Sequence, residues 1–421
     1  MFGTGKTALK ATLAKYLEST VTASNYSLGN PTSRIATSQS AATDPRNITR
    51  TWTDADAGWV PDCDLSNQQQ QGPATAVYGG GGPDFCGRIS NLNFGTATFS
   101  NTVDPAILSG WGVRPSDWNW TVSVQHEVLP RTSVEVAYVH RSFYGFALTD
   151  NLAVGPSDFT KFSITAPLDP RLPGGGGYQV NDLYDLNNPA LFGVTNNYIT
   201  YADNYGHVEQ FFNGLDVTFS ARPRSGLTVQ GGFAGGFSTA DYCEVREKVP
   251  EMILVNAGQL LNPYCRIETG FLPQYKALGN YLVPKVGVSI SATFTSKPGY
   301  NANSFATPVS NGAFAANYVI SNAALQPILG RPLSGNAANI TVNLVEPHSI
   351  LGARINELNV RFGKVLQLGK SRANVGVDIF NLLNAAPPLS YNQAFIPNGP
   401  WMTPTSVLSA RFAKLSMQLD F

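Results

Sequence analysis

The sequence predicts an all-β protein, an antiparallel transmembrane β-barrel of about ten strands with long extracellular loops. Three observations predict it. Apolar and polar residues alternate with a period of two along segments of about ten residues or more, and small polar residues (Gly, Ser, Thr, Asn, Gln) fill the second face. The connections between these segments alternate strictly between short and long. Charged residues are only 13% of the 421, about half the roughly 25% of a soluble domain, yet no run of about 18 apolar residues offers a transmembrane helix.

Other classes are excluded on the same grounds. Lys and Arg number 28 against 28 Asp and Glu, so the net charge is zero, and nucleic acid is not expected as a partner. With 43% hydrophobic residues, 17 Tyr, 23 Phe and 6 Trp, the chain is not of the disordered class. No signal peptide is read at the start, because Lys6 and Lys10 follow Met1 and every nearby apolar stretch is broken.

The elements follow in order. Strand 6–18 sets Leu9, Ala11 and Leu13 against Lys10, Thr12 and Ala14. After a long loop, 19–116, strand 117–128 sets Trp118, Trp120, Val122 and Val124 against Asn119, Thr121, Ser123 and Gln125. The short turn Leu129–Arg131 leads to strand 132–148, and loop 149–206 is long. Strand 207–221 sets Leu215, Val217 and Phe219 against Asp216, Thr218 and Ser220; the turn Arg222–Ser225 leads to strand 226–237. Loop 238–270 precedes strand 271–282, and a tight turn around Leu282–Pro284 opens strand 284–296. There Val286, Val288, Ile290, Ala292 and Phe294 alternate with Lys285, Gly287, Ser289, Ser291 and Thr293. Loop 297–352 precedes strand 353–366, and the turn Gln367–Lys370 leads to strand 371–384, where Val375, Val377 and Ile379 oppose Asn374, Gly376 and Asp378. The last strand runs from about Thr405, with Ala413, Leu415, Met417, Leu419 and Phe421 on one face and Lys414, Ser416, Gln418 and Asp420 on the other.

A soluble edge strand can show the same alternation. A sandwich, however, turns its second face to bulk water and carries more Lys and Glu there. Nor has it any reason to keep all short turns at one end. Segments of this length cross a bilayer when tilted by about 45°. The loops, with the four-glycine runs Gly79–Gly82 and Gly174–Gly177 and the tract Gln68–Gln71, are expected to be exposed and irregular.

Four cysteines fall in two local groups, Cys63 with Cys86 and Cys243 with Cys265, all in the outer loops. Three pairings are open, and the local one is simplest. In an oxidising compartment each bridge would pin a loop of about twenty residues, contributing on the order of 3 kcal/mol. The rival reading, a metal site, lacks a C-x-x-C pair, and His126, His140, His207 and His348 are scattered.

The opening Gly3-Thr4-Gly5-Lys6-Thr7 imitates part of a phosphate-cradling loop, but the first glycine of that motif and its preceding strand are missing. A turn entering a strand is the reading adopted. No catalytic constellation stands out, and neither enzyme activity nor a cofactor is expected. Asp216, Arg361 and Asp378 are expected to face the lumen, either touching a solute or forming a wet, ion-paired wall. Trp118, Trp120, Tyr281 and Phe421 lie near strand ends, in a core or in an aromatic girdle at the headgroups.

Several stretches together resemble a known family. The end of the chain, VDIFNLLN (Val377–Asn384), YNQAF, Trp401 and ARFAKLSMQLDF, is similar to the carboxyl end of TonB-dependent outer-membrane receptors. GWGVRPSDWNWTVSVQHEVLPRTSVEVAYVHR, LTDN, ITAPLDPRLPGGGGY and CEVREKVPE resemble the large receptors that carry an amino-terminal carboxypeptidase-regulatory-like domain. The resemblance implies a barrel of 22 strands, an amino-terminal plug, energy supplied through TonB and an unknown large solute. It also implies that Leu415, Met417, Leu419 and Phe421 form the terminal signal read by the barrel assembly machinery, and that the outer-membrane lipid is a partner. About ten strands, no plug and no TonB-contacting segment lead us to expect residues 1–421 to be the carboxyl-terminal part of such a receptor, from a truncated or wrongly started reading frame. TonB would then be engaged only through the missing amino-terminal part. The alternative is an independent small barrel or surface-adhesion protein without energised transport.

Overall fold

The computed structural model describes residues 5–17, 49–69, 71–72, 84–87, 89, 101–188, 191, 194–255, 260–261, 263–299, 315–369 and 371–420. Ten long strands form one antiparallel path in chain order. They are β1 (Thr7–Leu17), β2 (Ser116–Leu129), β3 (Thr132–Tyr144), β4 (Glu209–Arg224), β5 (Leu227–Asp241), β6 (Gln274–Val283), β7 (Val288–Lys297), β8 (Ile355–Leu368), β9 (Ser371–Phe380) and β10 (Phe412–Asp420). A short strand, Arg266–Glu268, extends the loop end of the sheet against β5. Among the described residues β1 and β10 are not paired with each other, so the path is an open barrel wall.

The register shows why the alternation was readable. Paired residues share a face, and one row across six strands reads Lys414, Asp378, Arg361, Ser291, Asn280, Thr228. The next row reads Leu415, Val377, Phe362, Ile290, Tyr281, Leu227. A slip of one residue anywhere would mix these rows. Between β2 and β3, β4 and β5, β6 and β7, and β8 and β9 the connections are tight turns at one end of the sheet, with Arg131, Gly226, Lys285 and Gly369 at positive φ. Between β4 and β5 the backbones come unusually close: a Cβ on Gly232 would stand 2.0 Å from the Val217 carbonyl oxygen.

The loops depart from the expectation of irregular chain. They interlock into an ordered cap with its own core. Strands 254–255, 260–261, 339–343, 317–321 and 394–395, drawn from three different loops, build one five-stranded sheet. The hairpin Phe159–Thr165 with Gln179–Leu186 contributes to the same core as that sheet. So does the helix Asn322–Leu329, which Ser321 caps by accepting from the Ala324 N–H at 3.3 Å and which Gly330 ends at φ 71°. Leu183, Leu325, Val342, Leu344 and Trp401 are buried there, and the Trp401 indole donates to the Ala315 carbonyl at 3.0 Å. A second cluster packs Leu148, Val208, Tyr242, Val245 and Val249 above the ends of β4 and β5.

The last strand begins at Phe412, not near Thr405, because Pro404–Val407 pairs separately with Pro388–Tyr391. The chain then turns at 408–411, where Asn384 accepts the Arg411 N–H at 3.0 Å. Phe421, Gly3, Thr4, Gly79–Gly82 and Gln70 lie outside the described residues.

Candidate functional site

The site is built on the polar face of the sheet and on the cap above it. Arg361 and Asp378 stand directly opposite on β8 and β9 and are joined at 3.0 Å, with Ser416 Oγ 3.4 Å from the Arg361 guanidinium. Asp216 shares their face but sits four strands away, on β4. It lines a groove of about 450 Å³ with Thr218, Gln230, Lys276, Thr293 and Thr295. The structure therefore brings two of the three expected lumen residues together and leaves the third in a separate groove.

Two further ion pairs on this face went unread in the sequence. Lys10 reaches Glu135 at 3.3 Å, and Ser123 donates to the same carboxylate at 2.7 Å. Arg141 grips Asp117 through two bonds of 2.7 and 2.8 Å. The alternation marks each of these residues as polar-facing, but only the register reveals the partner.

Among the described residues, nothing packs against the opposite face. Leu415 is 80% exposed, Leu13 69%, Met417 61% and Leu9 56%. Trp118 and Trp120 lie on this face at the loop end of β2, where Trp120 packs on Tyr138 and His140 with ring centroids 5.3 and 5.4 Å apart. Tyr281 lies near the turn end of β6, with Arg224 over its ring at 4.7 Å.

In the cap, charged groups clamp one loop to another. Asp169, 1% exposed, takes two bonds from the Arg171 guanidinium and one from the Asn398 N–H. Arg171 continues to the Gly399 carbonyl at 2.7 Å and lies over the Phe395 and Trp401 rings. Those bonds from Arg171 hold the Asp169 carboxyl well below the usual carboxylate range. Asp185 likewise binds Arg331 at 2.5 Å and the Ser334 hydroxyl at 2.9 Å. Tyr205 donates to Asp150 at 2.6 Å, and burial pushes the neighbouring Glu251 carboxyl up.

Cys63 is bonded to Cys86 and Cys243 to Cys265, with Cα atoms 6.4 and 4.9 Å apart. Beside the first bridge, Asp54, Asp56 and Asp84 bring one carboxylate oxygen each within 4.8 Å of the others. Such oxygens suit a hard dication. Asp84 already accepts from the Trp52 indole and from the Ala55 and Asp62 N–H groups. The Asp62 carboxyl is pushed up, first by desolvation and then by its acidic neighbours.

Among the described residues, five buried side-chain atoms lack a hydrogen-bond partner: Arg50 Nε, Arg246 Nη1, Asn317 Oδ1, Asn343 Nδ2 and His348 Nδ1. No position of this kind is visible in a sequence, because burial and partner both depend on the assembled loops. No protein-family model matches the chain, and no curated protein matches it. Among solved structures it is similar to the outer membrane transporter YddB from Escherichia coli, at 9% identity and a TM-score of 0.37, over 77% of this chain and 34% of that one. The chain thus spans about a third of that transporter's length.

Proposed function

We propose that the chain forms the carboxyl-terminal barrel wall and the extracellular cap of an outer-membrane receptor for a large solute. In this reading it belongs to the TonB-dependent receptors with a carboxypeptidase-regulatory-like domain. The observation that carries it is the apolar face of the long strands, which no described residue covers and on which Leu13, Leu415 and Met417 are all more than 60% exposed. Exposed apolar surface of that extent is untenable in water and ordinary in lipid. The polar face, with its ion pairs, is the wall of a wet lumen. Binding and passage, not catalysis, are its task. TonB acts through an amino-terminal part, and the barrel assembly machinery reads the end of β10 together with Phe421.

The test places these residues behind the rest of a receptor and compares outer-membrane levels with and without Phe421. Loss of the heat-modifiable, folded form on deletion is the expected result. Equal levels count against the barrel terminus, since one terminal residue of a soluble domain usually matters little. The ordered cap also favours a second reading, a surface-binding barrel without energised transport. Solute uptake that persists when TonB is removed would decide for it.

A further inference from the structure

The tight turns end the sheet in a group of cations that neither the lumen wall nor the cap uses. Beside the β2–β3 and β4–β5 turns lies a groove of about 670 Å³, lined by Arg131, Arg222 and Arg224. The Arg222 N–H donates to the Arg131 carbonyl at 2.9 Å, which fastens the two turns to each other. Arg224 lies over the Tyr281 ring at 4.7 Å. Among the described residues, none of the three guanidiniums has an ion pair or a hydrogen bond. The one carboxylate lining the groove, Glu127, accepts the Arg131 N–H at 3.0 Å. Three guanidiniums against one carboxylate leave a surplus of two positive charges. The flanking ends add to that surplus, because Lys6 and Lys285 are exposed there. Glu135, further along β3, is neutralised by Lys10 at 3.3 Å, and His126 is bonded to Thr7 at 2.7 Å. Asp420, at the same end of the sheet, lies on β10 opposite Arg372.

The groove reaches both faces of the sheet. Ser133, Ser220 and Thr228 bring hydroxyls from the polar face, while Thr132 and Leu227 belong to the apolar one. Leu227 pairs with Tyr281 in the apolar row that ends at Leu415. Guanidiniums and hydroxyls are the donors that hold a phosphate ester, and a guanidinium meets two of its oxygens at once. A soluble anion uses only the polar half of such a groove. A lipid uses both, with its phosphate on the arginines and its chains along the apolar face. Tyr281 sets the level of the headgroups, as aromatic residues at strand ends do. A headgroup with its own cation would leave the positive surplus in place, so the charge selects an anionic phospholipid over a zwitterionic one.

We propose that the turn end of the wall carries a binding site for the phosphate group of an anionic phospholipid, held by Arg131, Arg222 and Arg224. The site goes beyond solute uptake, and its contact with lipid rests on the outer-membrane reading. The test uses the full chain folded in detergent micelles that hold phosphatidylglycerol and phosphatidylcholine in equal amounts. Native mass spectrometry counts the lipid molecules that stay bound. Wild type should retain one phosphatidylglycerol about tenfold more often than phosphatidylcholine. Arg222→Gln combined with Arg224→Gln should fold like wild type, since both side chains are exposed and unpaired, and should lose most of that preference. Lys364→Gln combined with Arg372→Gln removes the same charge from β8 and β9 and should keep it. Equal retention of the two lipids by wild type overturns the site without any variant. A preference that survives in the Arg222/Arg224 variant, or falls equally in both variants, overturns its placement in the groove. Glycerol 3-phosphate and inorganic phosphate, added at equal ionic strength, separate the lipid from a soluble source. The lipid should stay bound, and displacement by either compound overturns the lipid assignment. A chain that folds in buffer without detergent overturns the membrane reading and the site together. A heat-modifiable chain in micelles without the preference overturns the site alone.

Discussion

At the scale of single residues, the cap is set by backbone positions and by one buried carboxylate. All four glycines of Gly174–Gly177 have positive φ. Gly175 and Gly176 share φ 83°, yet a Cβ on Gly175 would meet nothing within 4 Å, whereas one on Gly176 would stand 2.0 Å from the Pro167 carbonyl oxygen. Gly175→Ala should therefore cost about 1 kcal/mol of cap stability, the ordinary penalty of a left-handed alanine. Gly176→Ala should cost clearly more, because Pro167 must also move. Thermal unfolding followed by the fluorescence of the buried Trp401 compares the two; equal losses would sink the steric account. Asp169 gives the pH dependence. Its folded pKa lies below the ordinary 3.8, so its contribution to stability is complete above about pH 4 and is lost as the pH falls further. Asp169→Asn should destabilise the cap at neutral pH and flatten the acid limb of a stability-against-pH curve. An unchanged acid limb would show that other carboxylates govern it.

At the scale of elements, β10 and the second disulfide make separable predictions. Met417 on the apolar face pairs with Val375, and Gln418 on the polar face pairs with Asn374. Met417→Arg should cost roughly 2–4 kcal/mol on folding into a bilayer, while Gln418→Arg should cost little. Denaturant titrations in lipid vesicles measure both, and similar costs would contradict the assignment of the faces. The Cys243–Cys265 bridge closes a separation of 22 residues. Losing it as the double serine variant should weaken the cap by about 3 kcal/mol on the chain-entropy argument. The helix Cys243–Lys248 and the strand Arg266–Glu268 flank that bridge and should be the first parts to exchange amide hydrogens.

At the scale of the whole molecule, the sheet has two edges. A strand edge in lipid leaves backbone groups without partners, each costing several kcal/mol. In the 421-residue chain alone, outward amides of β1 and β10 should exchange much faster than those of β3, β4 and β5, each hydrogen-bonded on both sides. Hydrogen exchange in lipid nanodiscs tests this. Equal protection at β1 and β5 would mean that the edges close on each other or on a second copy.

The sequence by itself determined the fold class, the number and order of the ten long strands and the side of each turn, but not every strand end. The strand expected over 284–296 begins only at Val288, with Val286 in the turn, and the one expected over 371–384 ends at Phe380. A period of two over about ten residues is a local property, written in each strand without reference to its neighbours. It placed Asp216, Arg361 and Asp378 on one face for the same reason. Tertiary structure alone decided that Arg361 meets Asp378, that Lys10 meets Glu135, and that Asp216 stands apart in its own groove, because pairing follows from register. It alone decided the cap. There the strands are two to eight residues long and come from loops far apart in the chain, so none carries a readable period. Arg246 is buried only in the assembled cap, where its guanidinium donates to the Tyr264 carbonyl, a relation between separate segments that no local pattern records.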